Sequence, residues 1–381
     1  MRLLFILENF HPHIGGVEVV FRELTRGLAT RGHTVTVLTR RLPGTKKTET
    51  LDGVRIVRVW SGGTRYLFTF TAVPAALRLA RHADVIHTTT FNGAPPAWLA
   101  ARVRGKRVVL TVHETWLGKW RAFTDFGPVR AWLHEMLERC VFLPRYDRYV
   151  CVSDATRTAL TQALPRTAAS ALTIHNGFDP EHWSTPRKSE AKRLRKRLGL
   201  DGKFVVLGYG RPGASKGFTH LINAFARVKR RVPEATLVLI LSTDAQYAHK
   251  IERFKRDAPK GTLFLPPQRY TDLPAYVQMA DCVVVPSLTE GFGYAVLEAV
   301  AAGVPVVASD TTSIPEVIGG AHVLVRPGDP ASIADGIVRV ARNRVVRTPV
   351  RRFPWSANIM KHERLYRELA GQKKWKKRGR A

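Results

Sequence analysis

Two glutamates eight positions apart, Glu290 and Glu298, bound the segment of this sequence best equipped for chemistry. It reads Ser-Leu-Thr-Glu-Gly-Phe-Gly-Tyr-Ala-Val-Leu-Glu over residues 287–298 and follows the apolar run Cys282–Val285. If that run is a strand, the segment lies at its C-terminal end, where open α/β sheets bind ligands. A helix starting near Phe292 leaves Glu290 in the loop and puts Glu298 about a turn and a half inside, beside Val296, Leu297, Ala299 and Val300. A carboxylate in such company needs a hydrogen-bonding partner, and ribose hydroxyls would serve. The amides of Phe292, Gly293 and Tyr294 at the helix start would face an anion. The plainer alternative is a pair of ordinary acids near a helix start, stabilised by the dipole.

A second loop, residues 208–217, reads Gly-Tyr-Gly-Arg-Pro-Gly-Ala-Ser-Lys-Gly between an apolar run and a helical stretch. Its glycines leave the chain free to bring Arg211 and Lys216 together. A guanidinium fork and a compact ammonium suit a diphosphate. The loop lacks the GK[ST] ending of a P-loop. A third candidate is Gly15-Gly16, between the first apolar run and the first helical pattern. Paired glycines let backbone approach a bulky anion at a helix N-terminus, although alone such a pair is equally a tight turn. The pattern is not a dinucleotide GxGxxG. His11 and His13 flank it without a third ligand, so no metal site is expected. Trp116, Trp120, Phe123 and Phe126 form an aromatic stretch that suits membrane contact, acceptor binding or packing.

The elements that must position these residues alternate. Strands are predicted in the first half at residues 3–7, 34–38, 55–59, 85–88, 108–112 and 148–152. In the second half they fall at 204–207, 237–241, 263–265, 282–285, 305–308 and 322–325. Helical patterns lie between them, as at 17–28, 221–228, 273–279 and 294–301. Short β-branched strands separated by helices imply parallel sheets with crossover connections. Two such series imply an α/β chain of two doubly wound domains. The joint is expected near Asn176-Gly177-Phe178-Asp179-Pro180, where turn residues cluster. A terminal helix is expected from Trp355.

Composition narrows the function classes. The chain has 381 residues, 45% of them hydrophobic and 24% charged, which excludes wholesale disorder. Its three cysteines are scattered, so neither a disulfide framework nor a Cys-rich zinc site is supported, and a reducing cytoplasm fits. No apolar run is long enough for a secretory signal or a spanning helix. Lys and Arg number 61 against 30 acids, a net charge of +31. Two blocks, residues 187–197 and 373–380, hold thirteen of these cations. The remainder is spread over both halves with no nucleic-acid-binding motif, so specific nucleic-acid binding is disfavoured. An anionic membrane surface is the favoured macromolecular partner.

The three motifs, in their order along the chain, resemble the retaining GT-B glycosyltransferases of family 4, also called group 1. Residues 290–298 match the family's EX7E pattern, and 298–318 resemble its EAMACGxPVVAxxxGGxPEVI segment. The 208–217 loop resembles its GRLxxxKG, and 174–179 its IxNGVD joint. The resemblance implies two Rossmann-like domains facing a cleft: an acceptor-side domain at 1–177, a nucleotide-sugar domain at 178–355, and a terminal helix with a basic tail at 356–381. It further implies that Arg211 and Lys216 bind the donor diphosphate and Glu298 the ribose. Glu290 would sit near the reacting centre, Phe292 and Gly293 would give amides, and Gly15 and Gly16 would close over the diphosphate. His113, in Thr111-Val112-His113-Glu114, matches the family's histidine at a strand end, near the transferred sugar.

The expected function is transfer of a sugar from a UDP-, GDP- or ADP-sugar to a lipid-linked or polysaccharide-precursor acceptor. It would proceed without cofactor or metal, at the cytoplasmic face of the membrane. No Asp-x-Asp appears beside a strand end, and the two loop cations can take a metal's part. A soluble sugar acceptor is the alternative within the fold. Two departures stand out. Where relatives carry a second histidine after the one at His87, this chain has Thr88-Thr89. Where they carry a glycine pair before Pro-Glu, it has Thr312-Ser313 ahead of Ile314.

Overall fold

A computed structural model describes residues 1–13 and 15–378, and the chain divides into two compact units. Unit 1 comprises Met1–Trp120, Val129–Gly177 and Phe353–Ala381; unit 2 comprises Arg121–Pro128 and Phe178–Arg352. The break at Gly177–Phe178 falls within the turn cluster at 176–180. Two assignments differ from the sequence expectation. The chain returns to unit 1 at Phe353, a few residues before the anticipated 356, and the short segment Arg121–Pro128 belongs to unit 2. Asp125 explains the latter: it accepts from Ala214 N at 3.1 Å and pairs with Lys250 at 2.7 Å.

Unit 1 is built on eight strands: β1 Arg2–Ile6, β2 Thr34–Arg40, β3 Thr48–Leu51, β4 Val54–Val59, β5 Val85–Thr89, β6 Arg107–Val112, β7 Arg148–Cys151 and β8 Ala171–Thr173. Their order is β3-β4-β2-β1-β5-β6-β7-β8, and every pairing is parallel except β3 with β4. Unit 2 carries β9 Phe204–Gly210, β10 Ala235–Leu241, β11 Leu263–Leu265, β12 Cys282–Val285, β13 Val306–Ser309, β14 Gly320–Val325 and β15 Val346–Thr348. The order is β11-β10-β9-β12-β13-β14-β15, parallel except for β15. β3, β8 and β15 were not anticipated. Each is three or four residues long, and β3 and β15 are edge strands with exposed residues and no apolar run to mark them.

The strand composition follows from the layering. A parallel sheet is covered on both faces by crossover helices, so central strands read as continuous apolar runs. β5, β12 and β13 are buried at every position. The helix Gly16–Thr30 covers one face of the first sheet with Val20, Phe21, Leu24 and Leu28, the stripe expected from its 3.6-residue period. The helix Trp355–Arg378 adds Leu365, Tyr366 and Leu369 to the same core. In unit 2 the helix Phe218–Arg231 does the equivalent with Leu221, Ile222, Phe225 and Val228. Each sheet reverses its strand order once, between β1 and β5 and between β9 and β12. The stretches after β1, β9 and β12 carry Gly15, Gly16, Arg211, Lys216 and Glu290, and His113 follows β6.

Candidate functional site

In unit 2 the structure gathers the EX7E acids and a loop cation. β12 ends at Val285, and the chain turns through 286–293 into the helix Tyr294–Ala301. Gly293 caps that helix in the left-handed region, φ +94°, with no side chain capping the first turn. Lys216 Nζ donates to Glu290 Oε2 at 2.7 Å, and Ser287 Oγ donates to the same oxygen at 3.1 Å. Lys216 owes its position to Gly217. At φ +69° a side chain there would be strained, and a Cβ would fall 1.9 Å from Pro286 O, so only glycine lets the 211–217 loop press against the end of β12.

Glu298 lies half-buried on the same helix. Burial pushes its pKa up to about 7, with the charge of Glu290 adding to the rise and the Tyr209 hydrogen bond and Lys216 opposing it. Tyr209 OH donates to Glu298 Oε2 at 2.8 Å. The apolar neighbours read from the sequence are buried as expected: Val296, Leu297, Ala299 and Val300. Arg211 is exposed and makes no recorded ion pair among the described residues. Phe292 is buried and packs edge-on against Tyr294 at 5.3 Å.

The departure at 312–313 has a structural consequence. Glu290 N–H donates to Thr312 Oγ1 at 2.9 Å, and Ser313 Oγ donates to Glu290 C=O at 2.9 Å. Thr311 Oγ1 also donates to Leu288 C=O at 3.2 Å. Three consecutive hydroxyls after β13 therefore lash down the loop that carries Glu290. Thr312 does so at φ +45°, an unfavourable region for a β-branched residue.

Unit 1 presents a second constellation. His113 follows β6. Its Nε2 is buried and has no hydrogen-bond partner among the described residues, and burial lowers its pKa to about 4, so the ring is neutral at physiological pH. An unsatisfied buried ring nitrogen is uncommon in a folded protein and marks a place where a partner belongs. His87 is the opposite case. Its two ring nitrogens lie 2.5 Å from Tyr366 OH and 2.7 Å from Thr111 Oγ1, so it is fully engaged within the core. Gly15 caps the helix Gly16–Thr30 in an extended conformation with no side-chain cap, and a Cβ on Gly16 would meet nothing. Glu18, in the first turn, pairs with His13 Nδ1 at 3.2 Å.

Sequence reasoning missed several residues here. Glu138, on the helix Pro128–Phe142, is buried and raised by that burial to about pKa 7. It accepts from Trp116 N at 2.9 Å and Trp120 Nε1 at 2.6 Å, and Glu135 accepts from Gly118 N at 3.0 Å. These carboxylates hold the loop after His113, so Trp120 packs rather than presenting itself to solvent. Glu8, at the end of β1, accepts from Asn92 N at 3.1 Å and Nδ2 at 2.5 Å. No periodicity or motif announces either acid. The only available cue was that Glu8 follows the apolar run of β1.

Residues 14–182 match the pattern of Glycosyltransferase Family 4, and residues 190–352 that of Glycosyl transferases group 1. A glycogen synthase of Mycobacterium tuberculosis is 27% identical over 88% of this chain and 85% of its own length. A GDP-mannose-dependent α-(1-6)-phosphatidylinositol monomannoside mannosyltransferase of Mycolicibacterium smegmatis is likewise 27% identical, over 88% and 85%. Among solved structures, a sucrose-phosphate synthase from Thermosynechococcus elongatus aligns with TM-score 0.75 at 22% identity, covering 97% of this chain and 99% of its own. A HepE protein of Anabaena in complex with UDP and glucose aligns at 0.71 and 21%, covering 96% and 99%. With both halves of the family pattern matched in order along one chain, and two doubly wound units beneath them, this protein belongs to the group 1, or family 4, glycosyltransferases of the GT-B fold.

Proposed function

We propose that this glycosyltransferase moves a sugar, with retention of anomeric configuration, from a nucleotide-diphospho-sugar to a lipid-linked or polysaccharide-precursor acceptor at the cytoplasmic membrane face. The observation that carries the donor half is the cluster of Lys216, Glu290 and Glu298 around the ends of β9 and β12. Breaking the bond to the leaving diphosphate builds negative charge on phosphate and positive charge at the anomeric carbon. Lys216 and Arg211 are assigned to the phosphates, where pre-aimed cations stabilise departure. With these cations in place no divalent metal is needed, and transfer is expected to continue in chelator. Ionised Glu298 accepts the ribose hydroxyls. Glu290, which pairs with Lys216, faces the transferred sugar once phosphate takes over the lysine. The amides of Phe292 and Gly293 serve phosphate or sugar, and Gly15 and Gly16 offer the uncapped start of Gly16–Thr30 to phosphate. Neutral His113 supplies a hydrogen bond to a substrate hydroxyl.

Among the relatives, the mannosyltransferase named for phosphatidylinositol monomannoside supports a lipid acceptor, and its GDP-mannose supports a nucleotide-sugar donor. The glycogen synthase favours the second reading, a soluble glycan acceptor. Among the described residues no helix is long and apolar enough to cross a membrane. The test is a thermal-shift panel of UDP, GDP and ADP, followed by turnover of the matching nucleotide-sugars with lipid-linked and soluble acceptors. One diphosphate should stabilise the protein and one donor class should be consumed. No shift and no turnover across the panel overturns the reading.

A further inference from the structure

The helix Pro128–Phe142 is amphipathic the wrong way round. The side that faces the protein carries Ala131, Val141 and Phe142 together with the tethering acids Glu135 and Glu138. The side that faces solvent carries Val129, Trp132, Leu133 and Leu137, which are 71%, 59%, 48% and 50% exposed. Their spacing, extended by Met136 and Cys140, follows i, i+3, i+4, i+7, i+8 and so forms one continuous stripe.

A second helix widens this stripe into a face. Arg65–Thr71 exposes Tyr66, Leu67 and Phe70, the last at 72%, and Trp60 just before it is also exposed. Tyr66 OH meets His134 Nε2 at 3.2 Å, which fixes the two helices side by side. Between them opens a cavity of about 200 Å³ whose walls include Phe91, Pro95, Leu137 and Val141. Contiguous exposed apolar surface of this kind marks an interaction site.

Charge identifies the partner. Arg65, Arg130 and Arg139 are exposed on the same two helices. Residues 60–71 contain no acid, and 128–142 contain only Glu135 and Glu138. Glu138 is buried, and Glu135 is occupied by Gly118 N and Arg139. The face therefore combines Trp, Tyr, Phe and Leu with arginines and offers no free carboxylate. That is the composition of a helix lying in a lipid interface, with rings at headgroup depth and cations towards anionic headgroups.

We infer that the face formed by Arg65–Thr71 and Pro128–Phe142 is the surface by which this protein docks on an anionic bilayer, with the cavity between them open to a lipid chain. This rests on the proposed membrane-side acceptor and names its physical platform. The helix that meets the lipid on one side holds the loop after His113 on the other, which places docking next to the proposed acceptor chemistry.

The experiment is flotation of the full chain with phosphatidylcholine vesicles, with and without 30% phosphatidylglycerol. Wild type should float with the anionic vesicles, less so at high salt. A triple variant, Trp132→Ser/Leu133→Ser/Leu137→Ser, should lose at least about tenfold in partitioning while keeping its melting temperature and its turnover of the donor with a soluble acceptor. Arg130→Glu/Arg139→Glu should remove most of the salt-sensitive part. Equal flotation of the triple variant and wild type overturns the inference. So does binding indifferent to phosphatidylglycerol, or a face that proves to join two copies of the chain, seen as a dimer that the triple variant converts to monomer without wild-type flotation. Donor turnover is read separately, so its absence counts against the proposed function alone.

Discussion

Glu298, half-buried in unit 2, and Glu138, buried in unit 1, are carboxylates pushed up to about pKa 7, yet they do different work. Glu138 accepts one N–H on each oxygen, from Trp116 and Trp120, and so is consumed by the protein itself. Glu298 has a recorded hydrogen bond on Oε2 only, from Tyr209. The pKa is the same because burial dominates both. The difference is in unused lone pairs: a carboxylate with spare acceptors at a strand-end loop can receive a ligand, whereas one with both oxygens engaged fixes a shape.

The comparison breaks first at the charge cluster around Glu290. Lys216→Ala and Glu290→Ala should each lower sugar transfer by about 10²- to 10³-fold, the range for deleting one pre-aimed group at a developing charge. Steady-state transfer with saturating donor measures it. Full activity in either variant removes unit 2's cluster from the chemistry and leaves Glu298 with no more claim to function than Glu138.

The next test sets the two carboxylates against each other. Glu298→Gln should weaken nucleoside diphosphate binding about tenfold or more, since the amide cannot accept two ribose hydroxyls on charged oxygens. Wild-type binding should tighten as pH rises through about 7, where Glu298 ionises, and the variant should lose that dependence; calorimetric titration across pH 5.5–8.5 follows both. Glu138→Gln should leave diphosphate affinity unchanged. Its effect should appear in stability. The folded pKa of about 7 lies above the ordinary 4.5, so the folded state holds the proton more tightly. The stability this contributes is complete below 4.5 and is lost as pH rises through about 7. In the glutamine variant that part of the slope should flatten. One tryptophan N–H then loses its acceptor, at about 1–3 kcal/mol for an unsatisfied buried donor. Denaturant titrations at pH 4.5, 6 and 8 would read it.

Legibility in the sequence also divides along this line. Unit 2's site could be read because its acids and its cations each sit with glycines in one short stretch, 287–298 and 208–217, although Lys216 and Glu290 meet across 74 positions. Gly217 and Gly293 are required by backbone geometry, so their spacing carries information. Central strands such as β5 and β12 were legible for a similar reason, since burial on both faces forces continuous apolar runs. Unit 1's determinants are scattered. Glu138 meets its partners 18 and 22 residues back, and Glu8 meets Asn92 across 84 positions. The helix Pro128–Phe142 was not anticipated although its apolar residues recur at helical spacing, and the stripe that such a period would turn towards a core points to solvent. Of the roles open to the aromatic stretch at 116–126, Trp120 takes packing: it is buried against Glu138. The basic stretch 373–380 lies outside the residues whose side chains are described.

The smallest expected effect concerns the departure at 312–313, and it separates strain from function. Thr312 sits at φ +45° while accepting from Glu290 N–H. A β-branched residue in that region costs on the order of 1–3 kcal/mol and persists only when its surroundings impose it. If the hydroxyl merely tolerates the turn, Thr312→Gly should raise stability and leave transfer untouched. If it positions Glu290, the same change should relieve the strain yet lower kcat about three- to tenfold, with the affinity for nucleoside diphosphate held. Thr312→Ser keeps the acceptor and should restore most of the rate. A glycine variant that is more stable but slower, rescued by serine, is the result expected here. The residues at 312 and 313 would then do with side chains what Glu298's spare oxygen cannot do, holding the loop of Glu290 in place before any ligand arrives.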